Sequence, residues 1–486
     1  MSFTVNGKNS LIWLFGLTAA LLAWRFWLLP NLGITLYVDE AQYWTWAQHL
    51  DWGYFSKPPG VAALIWLSTA LLGDGMVGVK ALSILCYPLA AAACWAIARR
   101  LYDERTAFWS AVAVLTLPIF SWLGLFVSTD ALLTLFWALA LWAYLRALDS
   151  DAWRDWLLLG AICGLGLLSK YTMAAWLGAA FLHLLVYQRA RLATAKPWLA
   201  AGLALLMLSP NIVWNFTHDF PTLKHTADIT LNRTSGGGLA SLGEFWAAQW
   251  IAFGPVLGSV FALLLVRARE SWRDDSTRLL LWFALPLWAV VSMQAMKSSA
   301  NANWAAPAFA SAVIAVVAWL LQREKKKLLI AGLAINLAIV GLVYHWPQLI
   351  ATVNPEKQAK LNPFKRAMGW DALGRQLKPI VTAHRDAVLI ADNRTLLAHM
   401  LYELRDIKPA AASWNPSGVA SDHYKLTTDL RPYVGKNALL ITDTAPGADV
   451  APRFARVEKL ATLKAPLDAT TSRDMDVYLL HDFKGY

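Results

Sequence analysis

Charge is scarce in this chain: only 15% of its 486 residues are Asp, Glu, Lys or Arg, against 57% hydrophobic residues. One soluble core has no use for that much apolar surface, so a wholly soluble globule is excluded and lipid is the expected solvent. Cysteine is scarcer still. Cys86, Cys94 and Cys163 are the only three, and all lie inside apolar stretches. That pattern offers neither a disulfide framework nor a zinc-type spacing, so metal chemistry through sulfur is excluded. The first apolar stretch follows a short polar start containing Lys8 and lacks a small-residue cleavage site. It is expected to be kept as a membrane span rather than removed as a signal peptide.

Apolar stretches near the spanning length of about 20 residues recur up to Tyr344, after which the composition becomes that of an ordinary soluble domain. Two domains are expected: 1–344 in the membrane and 345–486 outside it. Eleven spans are predicted, at 10–29, 76–98, 107–126, 131–148, 155–169, 172–188, 197–216, 245–266, 279–296, 303–321 and 328–344. The apolar stretch 60–73 is too short to cross and reads as an interfacial or re-entrant helix.

The net charge of +11 comes mostly from Lys and Arg in short loops between the apolar stretches, which argues for membrane orientation and against a nucleic-acid partner. With the N-terminus in the cytoplasm, the loops holding Arg99, Arg100, Arg105, Arg154, Arg189, Arg191, Lys196, Arg267, Arg269, Arg273, Arg278, Arg323 and Lys325 to Lys327 all fall on the cytoplasmic side. Counting 60–73 as a span would turn every one of them outward. The eleven-span arrangement leaves the loop 31–75, the span ends near Asp130 and Lys170, the loop 217–243, the turn 297–303 and the tail on the outer side.

Polar chemistry collects on that side. The loop after the first span carries the adjacent acids Asp39 and Glu40, then Asp51, Tyr54 and Lys57, the last set against Pro58-Pro59. A charge at the bilayer centre costs about 2.5–3.5 kcal/mol on insertion scales, so acids at a span end either face water idly or serve a site. Lys57 before a rigid Pro-Pro corner can meet a phosphate as a point charge, or snorkel. Asp130 opens a span, where it could act as the helix N-cap. Lys170 ends one, and Asn303 and Trp304 begin another, with Trp304 also suited to the interfacial aromatic belt. His218, Lys224, His225 and Arg233 precede Gly236-Gly237-Gly238 and, as a set, form a candidate cationic lid.

An acid pair beside cations at a membrane mouth suits transfer of a sugar from a polyprenyl phosphate. The phosphate leaves readily once its charge is held by Lys or Arg, so one carboxylate base suffices, Asp39 or Glu40. Lys57, Lys170 and Arg233 are the candidate phosphate contacts. Tyr54, Asp130, His218, His225, Asn303 and Trp304 are the candidate substrate contacts. Attack opposite the leaving phosphate gives inversion at the anomeric carbon, by analogy with inverting glycosidases.

Asp39-Glu40, Lys57-Pro58-Pro59, Ser128-Thr129-Asp130 and Asn303-Trp304-Ala305-Ala306-Pro307 together resemble the family 39 and 83 glycosyltransferases, C-type membrane enzymes. The resemblance covers most of the membrane domain and is nearest the bacterial branch that modifies lipid A with aminoarabinose, with protein O-mannosyltransferases more distant. It implies two interfacial helices in the first outer loop, an undecaprenyl-phosphate sugar donor, catalysis by Asp39, phosphate contact by Lys57, and a reaction that needs no metal or other cofactor. Many relatives carry Asp-His or Glu-Lys ahead of Pro-Pro, where this chain has Ser56-Lys57. The acceptor stays open among lipid A, another glycan or glycolipid, and protein. The implied location is a bacterial inner membrane.

In the tail, 387–391, 438–442 and 477–480 read as strands and 395–404 as a helix, giving a small α/β domain. Asp392 and Arg394 are its first residues to test. The competing class is a transporter or flippase for the lipid-linked sugar or another lipid. Against it stand the lack of an internal hydropathy repeat and the gathering of charge at one face rather than the midplane. A receptor or scaffold without chemistry leaves the shared loop of acid pair and Lys-Pro-Pro unexplained.

Overall fold

The computed structural model describes residues 7–232 and 236–486. The chain divides into two compact units: Met1–Trp27, Lys57–Gly73 and Gly78–Tyr344 form the first, and Leu28–Ser56, Asp74–Val77 and His345–Tyr486 the second.

The first unit is helical. Across the described residues of the chain, seven helices are long and apolar enough to cross a membrane, and eight if one bent pair counts as a single span. The eleven expected spans therefore do not all appear as single long helices. The stretch 107–126 is realised as Glu104–Thr116 and Pro118–Leu123, because Leu117, preceding Pro118, is held extended at φ −59°, ψ 130°. The stretches 155–169 and 172–188 are Trp153–Ser169 and Met173–Tyr187, of 17 and 15 residues. The stretch 245–266 breaks into Leu239–Phe253 and Pro255–Val266, bent by 119°. Gly254 makes that bend possible, with φ +86° and a Cβ position that would fall 1.7 Å from Asn336 Oδ1.

The short apolar stretch 60–73 becomes the helix Gly60–Leu72. Its first residue lies so close to the end of Trp153–Ser169 that a Cβ there would meet Leu168 O at 2.8 Å. Tryptophans fill the interior, with Trp137, Trp156, Trp176 and Trp288 fully buried. The buried Arg25 is held by Tyr344 Oη at 3.0 Å and Ser121 Oγ at 3.3 Å, and Lys80 donates to Leu125 O at 2.9 Å. A charge buried beside lipid-facing helices needs such partners.

The second unit is built on a five-stranded sheet. Its strands are β1 (Val388–Ala391), β2 (Ala411–Ser413), β3 (Ala438–Thr442), β4 (Phe454–Pro466) and β5 (Ser472–Phe483), in the order β2-β1-β3-β5-β4. β1 is parallel to β2 and β3, while β5 is antiparallel to β3 and β4. β1 and β3 are buried along their whole length, as central parallel strands of Val, Leu, Ile and Ala should be. The helix Arg394–Glu403 follows β1, and the helix Val38–Gln48 packs on it. Trp44 meets Tyr402 edge-on at 5.3 Å and donates from Nε1 to Asp74 Oδ1 at 2.9 Å. Val38–Gln48 buries seven of its eleven residues within this protein surface, so it is more than an adsorbed interfacial helix.

Candidate active site

Each unit has its own polar cluster. In the first, Asp130 is the second residue of the helix Thr129–Ser150 and only 4% of its side chain is exposed. The N-cap position falls to Ser128 instead, whose side chain makes no cap bond. Asp130 is thereby released from the capping role its position suggested. Its Oδ1 accepts from Lys170 Nζ at 2.6 Å and its Oδ2 from Asn303 Nδ2 at 2.7 Å. Lys170 stands at the C-terminus of Trp153–Ser169, where a cation is favoured by the helix dipole. Asn303 comes from the 3₁₀ turn Ala302–Ala308. Three distant stretches of sequence thus meet on one carboxylate, and both of its oxygens are occupied.

The chain after Lys170 extends this cluster. Tyr171 Oη donates to Asn211 Oδ1 at 2.5 Å and accepts from Asn215 Nδ2 at 3.2 Å. Neither asparagine was singled out from sequence; both lie four residues apart inside an apolar helix, which is the signal that could have found them.

Other expected residues are placed separately. Lys57 is half-buried ahead of Pro58, and Trp304 is half-buried against the membrane-unit core. His218 is exposed, stacks on Trp214 at 4.2 Å and donates from Nδ1 to Trp214 O at 2.8 Å. His225 lies half-buried in the short helix Pro221–Ala227, and Arg233 lies outside the described residues. The glycine run behind them is not a free hinge. Gly238 N–H bonds Met296 O at 2.8 Å, and a Cβ at Gly237 would stand 2.5 Å from Lys297 O.

An apolar groove of about 270 Å³ runs along the same unit, walled by Pro118, Trp122, Ile251, Ile339, Val343 and Tyr344. Among the described residues no group of three or more His, Cys, Asp or Glu is placed to hold a metal ion.

The second unit holds the acid pair, and the two acids differ sharply. Glu40 is buried at 1% exposure, with Oε2 accepting Tyr37 N–H at 2.8 Å across the first turn of Val38–Gln48. This is the return half of a capping box. The Asp39 side chain is 56% exposed, and its Oδ1 accepts from Arg394 at 2.9 Å. Arg394 also donates to Gln42 Oε1 at 2.7 Å. Asp392 accepts from Thr442 Oγ1 at 2.9 Å, tying β1 to β3.

Tyr54 is spent on the loop's own closure. Its hydroxyl accepts from Asp51 N–H at 3.1 Å and donates to Trp46 O at 3.2 Å, while its ring stacks on Trp46 at 4.4 Å. Burial pushes its phenol up to about 12. The ring still lines a cavity of about 360 Å³ with His49, Asp51, Leu401, His423 and Thr428.

Many apolar helices, a bent pair, a short helix after Lys-Pro-Pro and a small appended sheet define the architecture of a C-type membrane glycosyltransferase. The fold matches the crystal structure of ArnT from Cupriavidus metallidurans bound to undecaprenyl phosphate, with a TM-score of 0.67 at 16% identity, covering 96% of this chain and 98% of that one. Residues 56–214 match the family model described as dolichyl-phosphate-mannose-protein mannosyltransferase.

Among relatives, a lipid A galacturonosyltransferase, RgtD, of Rhizobium johnstonii is 31% identical over 426 residues, covering 87% of this chain and 89% of that protein. An undecaprenyl phosphate-alpha-4-amino-4-deoxy-L-arabinose arabinosyl transferase of Pseudomonas aeruginosa is 29% identical over 170 residues, 31% of each chain. The chain belongs to this family of multi-pass membrane glycosyltransferases and is an enzyme of that class.

Proposed function

We propose that the protein moves a sugar from an undecaprenyl-type polyprenyl phosphate to an acceptor on the outer side of a bacterial inner membrane, lipid A foremost. In this reading the N-terminus is cytoplasmic and the domain 345–486 periplasmic. What carries the reading is the similarity to a lipid A galacturonosyltransferase across 87% of the chain. A glycolipid or another glycan stands next among acceptors, and protein after that.

Chemistry then follows from the residues. The acceptor hydroxyl gives its proton to Asp39, its oxygen bonds to the anomeric carbon, and the bond from that carbon to the phosphate oxygen breaks. Polyprenyl phosphate leaves with the electron pair, its new negative charge met by Lys57, Lys170 and Arg233. Fixed cations aimed at the charge that develops on the leaving phosphate lower the barrier more than any other single device open to such a transfer.

Asp39 is assigned the base because its side chain is 56% exposed and only Oδ1 has a partner among the described residues, whereas Glu40 is buried in a capping bond. Asp130 and Asn303 would orient Lys170 toward the phosphate. Tyr54, His218, His225 and Trp304 remain candidate contacts to the substrates. The prenyl chain would lie in the apolar groove beside Trp122 and Val343.

The test is transfer by purified protein from labelled polyprenyl phosphates bearing galacturonic acid, 4-amino-4-deoxy-L-arabinose or a neutral hexose, with lipid A as acceptor. Release of polyprenyl phosphate with labelling of lipid A supports the reading, and the sugar consumed names the donor. Movement of labelled lipid between leaflets with no sugar consumed would replace it with the transporter reading.

A further inference from the structure

The residue that meets Asp39 comes from the soluble tail, 355 positions away in the chain. Arg394 opens the helix that follows β1, and two fixtures hold it there. Asn393 Oδ1 caps that helix, accepting from Thr395 N at 3.0 Å and Leu396 N at 3.1 Å. Asp392 beside it is anchored to Thr442 at the end of β3. The chain leaves β1 for β2 on one side and then returns to β3 on the other, so this loop lies outside the carboxyl ends of parallel strands at a topological switch point. That is where open α/β sheets present functional groups.

The guanidinium reaches the helix Val38–Gln48 as a fork. One nitrogen donates to Asp39 Oδ1 and the other to Gln42 Oε1. Asp39 and Gln42 are three apart, hence neighbours on one helix face, and the fork fits that spacing. Asp39 makes no second hydrogen bond or ion pair among the described residues, so Oδ2 stays available.

Stability does not account for this arrangement. Both partners are more than a third exposed, a setting in which ion pairs contribute little. A cation in the first turn of a helix also runs against the helix dipole. A side chain that breaks a local rule without a stabilising return belongs to the set where function sets the choice.

We propose that Arg394 is a positioning residue for the transfer step: it fixes Oδ1 of Asp39, sets the carboxylate plane and turns Oδ2 to the acceptor hydroxyl, making the C-terminal unit part of the catalytic apparatus. This rests on the reading of Asp39 as base. The proton passes to Oδ2 as the acceptor oxygen bonds the anomeric carbon, and Arg394 keeps its own protons throughout.

Steady-state kinetics of the full-length protein with a polyprenyl-phosphate sugar tests it. Arg394→Ala should lower kcat by roughly ten- to a hundredfold, the scale of a small misplacement of a reacting group, with donor KM changed less than about twofold. Arg394→Lys should recover part of the rate, since one donor replaces a fork. Arg394→Gln supplies a second neutral variant if the alanine variant melts early.

In an Asp39→Glu background, where the carboxylate is already displaced, Arg394→Ala should cost less than in the wild type. Wild-type kcat in folded Arg394→Ala or Arg394→Gln, or full additivity with Asp39→Glu, would overturn the positioning role while leaving the base in place. Retained activity in Asp39→Asn would remove the base itself, a separate outcome.

Discussion

The two carboxylates best placed for chemistry illustrate opposite uses of one side chain. Asp130 in the membrane unit is 4% exposed and gives both oxygens away, to Lys170 and Asn303. Asp39 in the second unit is 56% exposed and gives away one. A buried carboxylate with a charge-assisted hydrogen bond from Lys170 is suited to holding that cation in place, and its burial keeps an acceptor hydroxyl from reaching its remaining lone pairs. One fixed at a single oxygen combines orientation with a free lone pair. On the proposed roles, base and cation holder differ in exposure and hydrogen-bond occupancy rather than in residue type, and that division can be attacked from either side.

The largest expected effect is on Asp39. Asp39→Asn should lower kcat by roughly 10²–10⁴, the range for loss of a positioned base, with the melting temperature unchanged within error. Glu40→Gln should instead keep most of the rate and lose about 1 kcal/mol of stability, as for a weakened cap, read in a thermal melt of the purified protein. Exchanged outcomes would reverse the assignment of base and cap.

Next comes Asp130. Asp130→Ala leaves Lys170 without its counter-ion and should cost about 3–5 kcal/mol, seen as a large drop in melting temperature. Combining it with Lys170→Met should restore much of that stability while activity stays lost. If the double variant melts no higher than the single, the pair is not the unit described above.

A smaller effect comes from two buried titrating groups in the second unit. Burial pushes Glu403 up to about 7, and Gly374 admits it, since a Cβ there would lie 2.5 Å from Glu403 Cβ. With a folded value above the unfolded one, its contribution is fully present below about pH 4.5 and lost as pH rises through about 7. At roughly 1.4 kcal/mol per unit this is a change of about 3–4 kcal/mol. Glu403→Gln should flatten that slope in melts recorded across this window.

His423 has the opposite sign. Burial among Trp46 and Tyr54 holds it down to about 4, so its contribution is present above about pH 6.5 and lost as pH falls through 4. His423→Gln should reduce the acid sensitivity of the melt and leave the alkaline side untouched.

The smallest effect is Asn303→Ala, which removes one hydrogen bond to Asp130 and should cost about 1–2 kcal/mol with Lys170 still in place.

Hydropathy is a local property, which explains what could be read from sequence. The apolar helices, the short helix at 60–73 and the strands β1, β3 and β5 all follow from runs or alternation within a dozen residues. β4 is not legible in the sequence because it is a solvated edge strand, exposed over Ala455 to Lys459, with buried–exposed alternation confined to its last four residues. The break at Gly254 depends on Asn336, a distant neighbour that only the folded chain supplies.

The candidate site divides in the same way. Asp39, Lys57, Asp130, Lys170 and Asn303 stand out because ionised or amide groups at span ends are conspicuous. Their partners do not. Gln42, Tyr171, Asn211 and Asn215 are ordinary polar residues until the fold brings them into register, and nothing local links Arg394 to Asp39.

The second unit draws on three separated stretches, Leu28–Ser56, Asp74–Val77 and His345–Tyr486. During synthesis Asp39 emerges 355 residues ahead of Arg394. At about 5–20 residues per second that interval is on the order of 20–70 s. A half-made chain would therefore leave Trp44 without the ring of Tyr402, Trp46 without His423 and the Asp39 carboxylate without Arg394. On the proposed reading of Asp39 as base, synthesis of Arg394 is the step that restrains it, and copies terminated ahead of that residue should be inert and open to proteolysis at the uncovered Trp44.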